Sequence, residues 1–155
     1  MSKKCPKDLE KDRFIEMGSV CACANLRRAA RAVTQLYDRS LRPAGLRATQ
    51  FSLLMAVRVL GPLPVTTLAK KTCMDRTTLG RNLKILENRE MIKFTQGSDQ
   101  RVREVSLTGD GKKAIIRAMP CWKEAQGLIE RGLGEEGMEN LLYDLSAVTS
   151  LVRKV

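Results

Sequence analysis

The chain has 155 residues, with 28 Lys+Arg against 17 Asp+Glu and a formal net charge of +11. That length suits one domain able to bury a core without disulfide staples, and the charge favours a polyanionic partner, of which nucleic acid is the commonest. Histidine is absent, which excludes His-based triads, His general bases and every His-containing metal site.

Cysteine offers little more. Cys5, Cys21, Cys23, Cys73 and Cys121 form an odd set with no zinc-framework spacing and no signal peptide ahead of them. Reduced thiols in a cytoplasmic protein are the expectation, with no metal, no cofactor and no catalytic residue. No apolar run approaches the roughly 18 residues that a membrane span needs.

Residues 1–13 alternate Lys with Asp and Glu and read as a flexible tail. A helical period begins at Phe14. Cys23, Leu26, Ala30, Val33, Tyr37 and Leu41 share one stripe at spacings of three and four, with Arg28, Gln35 and Arg39 opposite. Pro43 and Gly45 end this helix. A second helix, about 49–60, carries Phe51, Leu54, Met55 and Val59 and stops at Gly61-Pro62. A short third, about 65–72, buries Leu68 and Ala69. After the turn Thr72-Cys73-Met74, Asp75 stands as the N-cap of a fourth helix reaching about residue 89. Leu79, Leu83 and Leu86 form its inner face; Thr77, Arg81, Lys84 and Asn88 lie opposite.

The period then drops to two. Ile92, Phe94, Val105 and Leu107 alternate with polar residues on either side of Gly97-Ser98-Asp99-Gln100, which predicts a hairpin with a polar tip. Thr108 is placed to cap a fifth helix with Ile115, Ala118, Trp122, Ala125 and Ile129 on its stripe, and Pro120 is expected to kink it. Gly132, Gly134 and Gly137 surround a break before a last helix carrying Met138, Leu141, Leu142, Leu145, Val148 and Val152. Charge is unevenly spread: residues 63–103 hold nine Lys+Arg against four Asp+Glu, whereas residues 124–155 hold three against six.

Helix, tight turn, helix, hairpin is the order of a winged helix-turn-helix, mainly α with a small β-hairpin wing (α+β). A helix fits the major groove and presents its N-terminal side chains there, while a hairpin tip reaches the adjacent backbone. Arg76, Thr77, Thr78, Arg81, Asn82 and Lys84 on the helix, with Arg101 and Arg103 on the wing, are the candidate DNA contacts. Arg81 has the reach for a guanine and Asn82 for an adenine. Asp99 is better placed to orient Arg101 than to touch DNA. Lys84 and Arg89 equally suit a solvated helix face.

These residues resemble the MarR family of transcriptional regulators. The resemblance lies in the order and spacing of Gly45 to Phe51 (Gly-Leu-x-x-x-Gln-Phe), Leu68-Ala69, Asp75-Arg76-Thr77-Thr78-Leu79-Gly80-Arg81, Leu86-Glu87, Ile92, Asp99-x-Arg101 and Leu107-Thr108-x-x-Gly111. It implies a homodimer reading a pseudo-palindromic duplex operator, usually as a repressor released by a small molecule or an oxidant, with no membrane partner. The domains expected are a tail over 1–13, a dimerisation helix over 14–45, the DNA-binding winged helix over 46–110 and C-terminal dimerisation helices over 111–155. Two departures stand out. Glu90 occupies a usual glycine position, so the reading helix is expected to end without a left-handed residue. The wing reads Asp99-Gln100-Arg101 where Asp-Arg-Arg is commoner.

The resemblance also bears on the signal. Counted back from Thr34-Gln35-Leu36-Tyr37, Cys23 falls where the peroxide-sensing branch carries its reactive cysteine, although Arg27 replaces the tyrosine expected four residues on. Cys21 and Cys23 are read as opening the first helix, whose N-terminus would favour a thiolate, with Cys121 as a candidate resolving thiol. Inert packing is the competing role for these cysteines. Tyr37, Phe51 and Trp122 are candidate walls of a ligand pocket, and equally candidate core. Two other classes compete for the whole chain: a thiol-dependent enzyme using Cys23, and a winged-helix module for protein or RNA. The scarcity of aromatics (4%) disfavours single-strand stacking.

Overall fold

The computed structural model describes residue 14, residues 17–97 and residues 102–152. Two compact units are distinguished, Met1–Leu36 and Tyr37–Val155.

In the first unit, residues 17–20 are helical and α1 (Ala22–Leu41) begins just after them. Cys21 itself is not helical: its amide donates to the Met17 carbonyl at 3.1 Å, and its carbonyl accepts from the Asn25 amide at 3.1 Å. Cys21 therefore stands immediately before α1 and Cys23 is its second residue, in the first turn. Leu26 and Val33 of the apolar stripe are exposed.

The second unit holds the end of α1 and everything beyond. Arg42–Ala44 tightens into a 3-10 turn with Pro43 inside it, and Gly45 closes it at φ 70°. Then come α2 (Ala48–Leu60), β1 (Leu63–Pro64), α3 (Val65–Thr72), α4 (Arg76–Asn88), β2 (Ile92–Gln96), β3 (Arg103–Leu107) and α5 (Gly109–Val152). The strands form an antiparallel sheet in the order β1-β3-β2, with Leu63 opposite Val105, Phe94 opposite Val105 on the other side, and Ile92 opposite Leu107. The two-residue strand β1 is too short to show a period in sequence, and half of it is proline.

One core unites these elements. Leu41, Leu54, Leu68, Leu79, Leu86 and Val105 are fully buried within it. Burial of such a side chain contributes roughly 1.5–3 kcal/mol, so the alternating leucines of the helices fix which face of each turns inward.

The start of α5 depends on two residues. The Thr108 hydroxyl accepts from the Gly111 amide at 3.0 Å, capping the helix as expected. Gly111 is buried against β2's entry, where an added Cβ would sit 1.9 Å from the Met91 carbonyl oxygen. Farther along, α5 continues through Pro120, and the break expected around Gly132, Gly134 and Gly137 falls at Gly134, the only residue inside α5 with non-helical dihedrals, φ 71° and ψ 173°. Pro120 and Ile116 both face solvent, so the carbonyl left without its helical donor can be satisfied by water. Beyond the break, Leu142, Leu151 and Val152 are exposed. Among the described residues no helix is long and apolar enough to cross a membrane, and no group of His, Cys, Asp or Glu could hold a metal ion.

Candidate nucleic-acid interface

The turn between α3 and α4 is set by backbone geometry. Cys73 ends α3 in the left-handed region at φ 53°, and the Met74 amide donates back to the Ala69 carbonyl at 3.1 Å. Asp75 then caps α4, its Oδ1 accepting from the Thr78 amide at 2.8 Å. Hydrogen bonds from the Thr78 side chain, and next from its amide, hold the Asp75 carboxyl below its ordinary range. The cap is therefore ionised at neutral pH.

Leu79, Leu83 and Leu86 are buried on the inner side of α4. The 3.6-residue period consequently turns Thr77, Thr78, Gly80 and Arg81 outward, and all four are exposed. The structure thus brings Arg76, Thr77, Thr78 and Arg81 together, exposed, on the first turns of one helix. Other predicted contacts are engaged within the chain. The Asn82 amide donates to the Thr78 carbonyl at 2.9 Å, and Lys84 pairs with Glu87 at 2.8 Å. On the wing, the Arg103 guanidinium lies 4.3 Å from the centre of the Phe94 ring, a cation–π contact. Arg101 and Asp99 lie outside the described residues, as does Cys5.

The far end of α4 is pinned more firmly than its sequence suggests. Glu90 adopts φ 56°, which corrects the expectation that the helix ends without a left-handed residue. The Met91 amide donates to the Leu86 carbonyl at 3.0 Å, and the Thr108 hydroxyl donates to the Glu90 carbonyl. These bonds over-determine the turn, so a glutamate is held where glycine would be unstrained. Arg89 reaches back to α2, its Nη1 3.4 Å from Gln50 Oε1. Sequence reasoning passed over Gln50; its place in a Gly-Leu-x-x-x-Gln-Phe run was the available signal.

The effector candidates separate. Phe51 and Trp122 line an apolar cleft of about 270 Å³ with Ser52, Met55 and Met119. Tyr37 is not in that wall; its hydroxyl donates to Gln126 Oε1. Burial, and then the nearby Glu130 carboxylate, raise the Tyr37 pKa above that of an ordinary phenol. Cys21 and Cys23 are exposed thiols, whereas Cys121 is half-buried.

Two helices joined by a tight turn, the second with exposed side chains on its first turns, and an adjoining three-stranded wing define a winged helix-turn-helix. Comparison with known proteins agrees. The MarR family model matches residues 46–102. The transcriptional regulator MosR of M. tuberculosis, solved in complex with DNA, is 33% identical with a TM-score of 0.79, the match covering 86% of this chain and 97% of that one. An uncharacterized HTH-type transcriptional regulator of Bacillus cereus is 30% identical over 111 residues, 72% of this chain and 74% of the relative. The HTH-type transcriptional repressor NicR of Pseudomonas putida is 27% identical over 119 residues, 76% of this chain and 75% of NicR. The chain belongs to the MarR family: it is a winged helix-turn-helix, DNA-binding transcriptional regulator, and not an enzyme.

Proposed function

We propose that the protein is a homodimeric repressor that holds a pseudo-palindromic duplex operator and releases it on a chemical signal. The observation that carries this reading is α4, anchored by buried leucines on one side and offering Arg76, Thr77, Thr78 and Arg81 on the other. Arg81 supplies bidentate reading of a guanine; the wing arginines Arg101 and Arg103 supply backbone or minor-groove contacts. Asp99 orients Arg101. Asn82 and Lys84 join the contact set by exchanging their internal partners for DNA. Residues 46–110 form the DNA-binding domain.

Residues 14–45 and 111–155 supply the dimer interface in this reading. Support comes from rows of exposed apolar side chains on both: Met17, Val20 and Val33 on one, Leu142, Leu145 and Leu151 on the other. Apolar surface of that extent on a soluble regulator calls for a partner, and a second copy is the economical one. NicR, named as a repressor, supports the direction of control. A chain that acts on the chromosome acts in the cytoplasm.

Two routes to release are supported. The cleft of Phe51, Met55, Met119 and Trp122 lies between α2 and α5 and suits a small apolar or aromatic molecule wedged between them. The exposed Cys21 and Cys23 offer the other, through oxidation.

A mobility shift with the DNA flanking the coding region, against random duplex, tests the reading; light scattering on the same samples gives the mass. Selective binding by a dimer is expected. Loss with peroxide and recovery with a thiol reductant assign the signal to cysteine, whereas indifference to peroxide leaves the regulator standing and turns the search to small ligands. A monomer, or a dimer without selectivity across a broad set of duplexes, overturns the proposal.

A further inference from the structure

The end of α4 farthest from its exposed threonines is tied to the start of α2 through a single buried side chain. Gln50 is only 8% exposed and is the one buried polar residue in the described core. Its Oε1 accepts from the Arg47 amide at 3.0 Å, closing the first turn of α2, and also lies 3.4 Å from Arg89 Nη1. The other terminal nitrogen of Arg89 lies over Gly45, 3.5 Å from where a Cβ would stand. The same junction is held from a third side, because Asp38 Oδ1 accepts from the Ala48 amide at 2.7 Å.

We propose that Gln50 and Arg89 are positioning residues for DNA reading. Together they fix the C-terminal end of α4 against the junction between α1 and α2. Rigid helices rotate about their anchored ends, so this pin sets the angle at which Thr77, Thr78 and Arg81 are offered to the groove. Neither residue needs to touch a base. A charged donor shared with a buried amide oxygen suits such a pin, since the bond is directional and the planar guanidinium sits against a glycine that leaves it room. The inference rests on the reading that α4 enters the major groove.

The test compares Gln50→Leu, Gln50→Glu, Arg89→Met and the double variant Gln50→Leu/Arg89→Met with the wild type. Each is measured for affinity toward the selected operator and random duplex over a range of salt, and for thermal melting. In Gln50→Leu and Arg89→Met the ratio of specific to random affinity should fall about tenfold, the size of one misread base pair. The salt slope should stay unchanged, Gln50→Glu should keep the ratio, and the double variant should be no worse than either single one. Because Arg89 is exposed, Arg89→Met keeps the test open should Gln50→Leu fail to fold.

If Arg89→Met instead weakens specific and random binding equally and lowers the salt slope by about one, Arg89 is a phosphate contact and the proposal fails. A lowered melting temperature with an unchanged ratio in the folded protein overturns it as well, leaving a merely structural tie. If the wild type itself shows no selectivity, the groove reading has failed instead, and the two failures are thereby distinguished.

Discussion

Glu90 is held at φ 56° at the close of the reading helix, in a region that disfavours any residue with a Cβ. The strain follows from its neighbours: Met91 bonded back to Leu86 and Thr108 bonded to the Glu90 carbonyl leave the backbone no other path. Replacing it by glycine should raise stability by about 1 kcal/mol, the cost of the left-handed region less the entropy glycine loses on folding. A lower melting temperature for Glu90→Gly would contradict this. Gly111 presents the opposite case, since a methyl group there meets the Met91 carbonyl at 1.9 Å. Gly111→Ala should cost about 2–3 kcal/mol in a denaturant titration.

Asp75 adds a pH dependence. Its pKa is depressed by its bonds from Thr78, so its stabilising effect is complete above the carboxyl's unfolded value and is lost as pH falls through the lower folded value. Asp75→Ala should therefore melt below the wild type at neutral pH, with the difference closing in acid. At the interface, Arg81→Ala should lose about 1–3 kcal/mol against the correct base if its contact is bidentate, visible as reduced selectivity in competition binding. Equal loss on specific and random duplex would count against that role. The Asp75 cap, the Thr108 cap and the outward threonines were legible because each is set by near neighbours in sequence. The left-handed Glu90 was not, because a glutamate carries no local preference for that region and part of what holds it there is Thr108, eighteen residues away.

Among elements, legibility followed burial. The inner leucines of α4 recur at helical spacing because one face packs on the core, and the hairpin alternates because one side of the sheet does. Strand β1 escaped because its identity comes from Val105 and Glu104 across the ladder and not from its own two residues. The behaviour of α5 divides similarly. The glycines marked a break in the sequence, and the helix yields at Gly134, whose dihedrals are accessible to glycine almost alone. Gly134→Ala should cost about 1–3 kcal/mol, measured by thermal melting, although nothing lies within 4 Å of the added methyl. The partners of Gln50 were invisible for a different reason: a buried amide among apolar residues carries no periodic signature.

For the whole molecule, the concentration of positive charge between residues 63 and 103 should make DNA affinity fall linearly in a log–log plot against salt. Arg101→Ala should weaken binding alike across sequences and reduce that slope by about one. Doubly charged substitution of the exposed C-terminal row, Leu145→Glu with Leu151→Glu, should leave the DNA-binding domain folded by circular dichroism while shifting light-scattering mass to the monomer.

The sheet has one further consequence, for behaviour at high local concentration. Its edges are the first place where neighbouring copies could add strand to strand. One edge, β1, is two residues long and ends in Pro64, which has no amide hydrogen to donate; the other, β2, is five residues long and points Lys93 to solvent. Short length, proline and lysine each discourage edge pairing. Crowded copies are therefore discouraged from adding strand to strand through the wing.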